Sequence, residues 1–358
     1  MSTPDRRVLV LAHTGREAAV LAAEELVHLL VDAGMKPIVR SSDSEGLTDK
    51  TLELLHPAGS ADPLDEIELV IVLGGDGTIL RSAELVRGHQ APLLGVNLGH
   101  VGFLAESERD DLAYTVQRVA ARDYEVEERM TLDVTVHVDG ERIADLWALN
   151  EASVEKANRE RMIEVVIEVD GRPVTEFGCD GVVMATPTGS TAYAFSAGGP
   201  IVWPEVEALL LAPLSAHALF ARPMVVAPTS VPAVELVPDA PGRAMLWCDG
   251  RRSLDLPPGA RVEVRRSAIP VRLARLARPP FTDRLVAKFG LPVHGWRGRA
   301  LRGPEAPVSG WGAVAHSDSS RGQAEGPEYP SNTVSNGGSG KNPGTTGPHV
   351  SPPVRKLP

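Results

Sequence analysis

The chain has 358 residues, 43% of them hydrophobic and 23% charged, a length and composition suited to two globular domains of ~100 to 200 residues each, which excludes disorder throughout. Its formal net charge of −11 disfavours nucleic acid or an acidic membrane as a partner, because no surplus of cations is available to displace counterions from phosphates. No segment approaches the ~20 consecutive apolar residues of a membrane span, and the opening MSTPDRRVLVLAH is too briefly apolar for a signal peptide, so a cytoplasmic protein is expected. Cys179 and Cys248 are too few for a disulfide framework or a structural zinc site.

Residues 8–11 form a short apolar run. Ala19, Ala22, Leu26, Leu29 and Ala33 then recur at three- and four-residue steps up to Gly34, the pattern of a strand, a helix and its stop. Apolar runs at 69–73 and 93–96 fit buried parallel strands and 112–121 fits another helix, which predicts an open, mostly parallel α/β sheet. From about Thr131 the period becomes two. Leu132, Val134, Val136 and Val138 alternate with polar residues, as do Ile163, Val165, Ile167 and Val169, and each run ends in an Asp-Gly hairpin signal. The run 244–248, Asp249-Gly250 and the Val262, Val264 alternation extend the pattern, so the second domain is expected to be mostly β. From Gly303 onward about half the residues are Gly, Pro or Ser, with no Ile or Phe. Such a segment buries too little to offset its ordering entropy and predicts a disordered tail without catalytic role.

Three stretches carry chemistry. Gly74-Gly75-Asp76-Gly77-Thr78 joins the run 69–73 to a helical pattern. Glycines there permit a sharp turn and close approach of a ligand, Thr78 is expected to cap the helix, and the first N–H groups favour an anion. A carboxylate beside bound phosphate is repelled unless a divalent cation intervenes or the group takes a proton from an attacking hydroxyl, so both roles stay open for Asp76. The plain alternative is a tight turn with Asp76 as a local cap. Its place at the end of an interior α/β strand favours a ligand, although the point where strand order reverses is not written in the sequence. Residues 95–104 again join a strand to a glycine-rich loop but lack the dinucleotide Gly-x-Gly-x-x-Gly spacing, and His100 reads as a surface or packing histidine. In residues 180–200 an apolar strand empties into a loop where Thr188, Ser190, Thr191 and Ser196 can bond sugar or amide groups. Gly189 and Ala192 allow close approach there, and Tyr193 offers a face for a flat ring. Asn150-Glu151 closes the run 146–149 and gains weight only from this company.

Taken together and in this order, the five residues 74–78, residues 97–104, Asn150-Glu151 and residues 180–199 resemble the bacterial type of the NAD kinase family. The likeness runs from about Arg7 to Trp296, takes in Phe281-Thr282-Asp283-Arg284-Leu285 and Lys288-Phe289-Gly290-Leu291, and leaves out the tail. It implies an α/β domain over 1–128, a β-rich NAD-binding domain over 129–279, a last helix within 280–302 returning to the first domain, and a homo-oligomer, dimer or tetramer. The implied reaction moves the terminal phosphate of ATP, and as an open alternative of polyphosphate, onto the adenosine-ribose 2′-hydroxyl of NAD. Mg2+ or another divalent ion would accompany ATP, with no residue of the chain expected as its ligand. By match, Asp76 is the catalytic carboxylate, with proton acceptance preferred over holding Mg2+. Gly77, Asn150, Glu151, Asp180, Thr191, Ala192, Tyr193 and Ser196 are the NAD-contacting set, to which Phe103 and Thr188 are added, and Arg81 and Arg161 are basic ligand-binding residues. Phe220-Ala221-Arg222-Pro223 departs from the family's more usual Ser-x-Arg-Pro. Lipid kinases and phosphofructokinase share the first motif but not 187–193, and no Gly-x₄-Gly-Lys-Ser/Thr of a P-loop kinase occurs. A non-catalytic nucleotide sensor would have no need of Asp76.

Overall fold

Val, Leu and Ile side chains with no polar alternation build a sheet buried on both faces, and a computed structural model shows that sheet. It describes residues 6–293 except 14, 41–42, 56–62, 100–101, 106, 109–110, 159–160, 241 and 277–279, so His100 and the expected tail 303–358 lie outside the described residues. The strands run in the order Lys36–Ile38, Arg7–Ala12, Ile67–Leu73, Leu93–Asn97, Val271–Arg275 and Glu125–Arg129, with Ser107–Glu108 beside Leu93–Asn97. Every pairing is parallel except that of the last two strands in this order. Val8, Val10, Leu69 and Ile71 face the helices Glu17–Asp32 and Leu112–Ala120, while Leu9, Leu11, Val70 and Val72 face Ile79 and Ala83 of the helix Asp76–Leu85.

Period-two alternation gives the rest of the chain two six-stranded antiparallel sheets. Leu132, Val134, Ile163, Val165 and Val262 of one sheet meet Ala152, Val154, Val182, Met184 and Leu246 of the other in a shared core. Asp139 and Gly140, and Asp170 and Gly171, all hold positive φ at the two expected hairpin turns. Both cysteines are buried and free. The outer face of the second of these sheets carries Val183, Ala185, Leu210 and Ala212, against which Ala194 and Val202 of the hydroxyl-rich loop pack. The strand Val271–Arg275 already belongs to the first sheet, ahead of the segment 280–302. A short buried strand reads alike from sequence whichever sheet takes it up.

Candidate active site

Strand order reverses between Arg7–Ala12 and Ile67–Leu73, and the carboxyl ends of these two strands open into a cavity of about 420 Å³. Ala12 ends the first strand and His13 and Arg16 follow it, and Gly75, Gly77, Thr78 and Arg81 follow the second. Gly74 has φ +156°, and a Cβ there would collide with the side chain of Thr78, so this turn requires glycine. The expected cap at Thr78 is not made. The helix begins at Asp76 with extended Gly75 before it and no side-chain cap, and Thr78 sits inside the first turn, its N–H donated to the Gly75 carbonyl at 2.9 Å. The cavity wall is cationic. Arg40 pairs with buried Asp43 at 2.5 Å, Arg81 stands 4.0 Å from the same carboxylate with more than half its side chain exposed, and Arg251 enters from the second domain.

Asp76 is tethered at its other end. Its Oδ2 accepts the Phe103 N–H and its Oδ1 the Leu104 N–H, each at 3.1 Å. A Cβ at Gly102 would strike Oδ1, so glycine lets the loop close on the carboxylate. The Phe103 ring is buried and lies 5.9 Å from Phe281 and 6.0 Å from Phe289 of the last helix, Phe281–Phe289. Phe289 in turn stacks on Phe195, and Phe281 meets Trp203 edge-on, so this helix bridges the two domains.

Asp249, on the second-domain side of the cavity, clamps a buried acidic turn. Asn150 lies in the bend after the strand Glu141–Ala148 and Glu151 begins the strand Glu151–Lys156, and the Asp249 carboxylate accepts the N–H groups of Leu149 and Asn150 at 3.0 and 2.7 Å. The Asp249 N–H returns a bond to the Glu151 carbonyl, and Arg252 pairs with the carboxylate at 2.7 Å. Burial, aided by the charge of Asp249, pushes the Glu151 carboxyl up to about 8, against the pull of the Tyr193 N–H that Glu151 accepts at 3.3 Å. Burial also raises the Asp249 carboxyl. Asp249 lines the same cavity as Gly75 and Gly77 and so joins the two halves. The join is braced by Glu84, which pairs with Arg251 and Arg252, and by Trp147, whose ring carries Arg87 at 4.0 Å and Arg252 at 4.4 Å.

Of the expected residues Gly77 and Arg81 line the cavity, and Asp76 meets Phe103 at the loop that tethers it. Thr188, Thr191, Ala192 and Tyr193 follow the strand Gly181–Ala185 over the Asn150-Glu151 turn, where a Cβ at Gly189 would run into the Asn150 carbonyl. The Tyr193 hydroxyl bonds Glu155. Asp180 is paired with Lys156 at 2.5 Å, which holds its carboxyl below the usual range. Buried Arg129 reaches Thr188 at 3.4 Å. Ser196 is exposed at the end of the short helix Tyr193–Ser196, and Arg161 is exposed ahead of the strand Ile163–Val169, with no bond to the others among the described residues. The residue that sequence reasoning missed is Asp249, read only as a turn former. Asp139 and Asp170 in the equivalent Asp-Gly turns are exposed, and nothing local distinguishes the buried one.

Two family models match the chain: one described as the ATP-NAD kinase N-terminal domain over residues 8–124, the other as the ATP-NAD kinase C-terminal domain over residues 149–276. An NAD kinase of Leifsonia xyli is 64% identical over 295 residues, which cover 82% of this chain and 97% of that protein. NAD kinase 2 of Streptomyces coelicolor is 62% identical over 296 residues, with the same shares covered. Among solved structures, an NAD kinase from Archaeoglobus fulgidus in complex with ATP superposes with a TM-score of 0.59 at 26% identity, covering 80% of this chain and 97% of that one. A yeast NADH kinase complexed with NADH shares the fold, with a TM-score of 0.74 at 24% identity over 82% and 90% of the two chains.

Proposed function

From its membership of the NAD kinase family, to which the chain belongs, we propose that it moves the terminal phosphate of ATP to the 2′-hydroxyl of the adenosine ribose of NAD, giving NADP and ADP. The observation that carries this reading is the tethered Asp76 beside an arginine-walled cavity, with a buried amide-carboxylate turn facing it across Asp249. Phosphoryl transfer has a loose transition state, so catalysis comes chiefly from alignment and charge neutralisation. Arg16, Arg40, Arg81 and the N–H groups at the start of the helix Asp76–Leu85 hold the donor phosphates. Asp76, with lone pairs left over after its two N–H bonds, accepts the 2′-hydroxyl proton as the ribose oxygen bonds to phosphorus and the bond to ADP breaks. Phe103, Asn150, Glu151, Asp180, Thr188, Thr191, Ala192, Tyr193 and Ser196 hold NAD, with Tyr193 stacked on one of its rings, and Arg161 adds a cation at the rim.

A divalent ion such as Mg2+ is assigned to the donor phosphates, whose oxygens are the hard ligands it prefers. Polyphosphate is a second donor favoured by the cavity wall, which offers cations but no Phe, Tyr or Trp for an adenine ring among the described residues. A homo-oligomer, dimer or tetramer, in the cytoplasm completes the proposal. Leu219 and Phe220 are exposed beside the edge strand Met224–Val226, itself carrying exposed Val225, as an association surface would require. No helix among the described residues is long and apolar enough to cross a membrane, and the net charge of −11 argues against nucleic acid as a partner. The purified chain is incubated with NAD, Mg2+ and either ATP or polyphosphate, and NADP is read with an NADP-specific dehydrogenase. NADP is expected with ATP, and none from any donor at saturating NAD overturns the proposal.

A further inference from the structure

We infer that Arg284, on the last helix, is a positioning residue for Asp76, acting through the single peptide group between Phe103 and Leu104. Its Nη1 donates to the Phe103 carbonyl at 3.0 Å, and the N–H of the same peptide, that of Leu104, donates to Asp76 Oδ1 at 3.1 Å. The guanidinium, the amide and the carboxylate thus form one chain of aligned hydrogen bonds. A cationic donor on the carbonyl polarises the amide and strengthens the bond its N–H makes to the anion. The next carbonyl, that of Leu104, is held independently by buried Arg275 at 3.1 Å, and Arg275 is anchored on Glu127 at 2.8 Å. The loop is therefore fixed on one side, and Arg284 completes its grip on the other.

The last helix has the pattern to do this. Phe281 and Phe289 flank the Phe103 ring, and Arg284 lies between them in sequence, one turn past Phe281, so the ring contacts and the guanidinium reach the same residue. None of this helix's residues is fully buried, so its attachment rests on these contacts rather than on a core face. A carboxylate that must accept a proton at one moment of the reaction gains from being aimed before substrate arrives. Arg284 thereby couples the far end of the chain to the reacting group without touching substrate.

The inference rests on the reading of Asp76 as the catalytic carboxylate, and the test separates the two. In the full chain, Arg284→Met, Arg284→Lys, Asp76→Asn and the Asp76→Asn/Arg284→Met double variant are compared for kcat, KM for NAD and thermal midpoint, all assayed well below melting. Arg284→Met is expected to lower kcat about tenfold, the scale of one lost charge-assisted bond, with KM for NAD within about twofold. Arg284→Lys should restore most of the loss. In the Asp76→Asn background the Arg284→Met change should cost less than about twofold, because the group it aims is gone. Wild-type kcat in Arg284→Met, or the same tenfold loss in both backgrounds, overturns the inference while leaving Asp76 in place. Undiminished turnover in Asp76→Asn overturns both.

Discussion

The two walls of the cavity are built on opposite principles. On the first-domain side the groups that face the cavity are backbone N–H groups of a glycine turn and the guanidiniums of Arg16, Arg40 and Arg81, of which Arg81 is more than half exposed and tied to Asp43 only at 4.0 Å. On the second-domain side stand Arg251 and Asp249, and Asp249 carries a turn of carboxylates and amides that is buried and already bonded: Asp249 to two N–H groups, Glu151 to the Tyr193 N–H. An open cationic wall has unmet capacity for anions and little geometric preference among them. A buried, satisfied polar turn discriminates instead, because a ligand that fails to replace each bond it disturbs leaves an unpaired group. One wall is thus fitted to phosphates and the other to sugar hydroxyls and amides, and Asp76 sits within the glycine turn of the first.

The largest effect is expected at that carboxylate. Asp76→Asn keeps the shape and one of the two loop N–H bonds, its NH2 facing the other donor, and it cannot take a proton, so turnover should fall ~10²-fold or more while the fold and NAD affinity persist. Steady-state NADP formation measures it, and near-normal turnover would remove the carboxylate from the chemistry. On the discriminating wall, Gly189→Ala forces a methyl into the Asn150 carbonyl, and a backbone shift of that kind costs about 1–3 kcal/mol. The loss should appear in NAD affinity by calorimetry and leave donor affinity unchanged, whereas equal losses for both substrates would break the division of labour between the walls. Tyr193→Ala should weaken NAD binding by something like 1 to 2 kcal/mol if the ring stacks on the ligand. Here too donor affinity is the control, and unchanged NAD binding would take Tyr193 out of the site.

Legibility from sequence followed the range of the interactions. The turn at residues 74–78, the helix up to Gly34 and the Asp-Gly hairpins are set by neighbours in the chain, and each was readable because glycine at positive φ and hydrophobic period are local signals. The helix starts three residues earlier than a cap at Thr78 would set it. Thr78 has the chemistry of a cap, but its side chain packs over Gly74, and the first turn forms on Asp76 instead. What could not be read were contacts closed from a distance: Asp249 is 99 residues from the Asn150 N–H it accepts, and Arg284 is 181 from the Phe103 carbonyl. Nothing in Cys-Asp-Gly-Arg separates a clamp from a surface turn, since burial is decided by the sheet that folds against it.

The effect that is smallest at each step, about 1 kcal/mol per pH unit, tests whether the second wall is as dry and acidic as its geometry requires. With its carboxyl pushed up to about 8 from an ordinary 4.5, Glu151 stays protonated in the fold across a window where it is ionised in the unfolded chain. Unfolding there releases a proton. The stabilising difference is fully present below about pH 4.5 and is lost as pH rises towards 8, at no more than ~1.4 kcal/mol per pH unit. Glu151→Gln removes that titration. Its free energy of unfolding, from urea titrations between pH 5 and pH 8, should fall with pH by about 1 kcal/mol per unit less than that of the parent, the remaining slope belonging in part to Asp249, whose carboxyl is raised by the same burial. Parallel curves for parent and variant would mean that Glu151 is ionised and hydrated in the fold, and the contrast between an open cationic wall and a closed acidic one would then be lost.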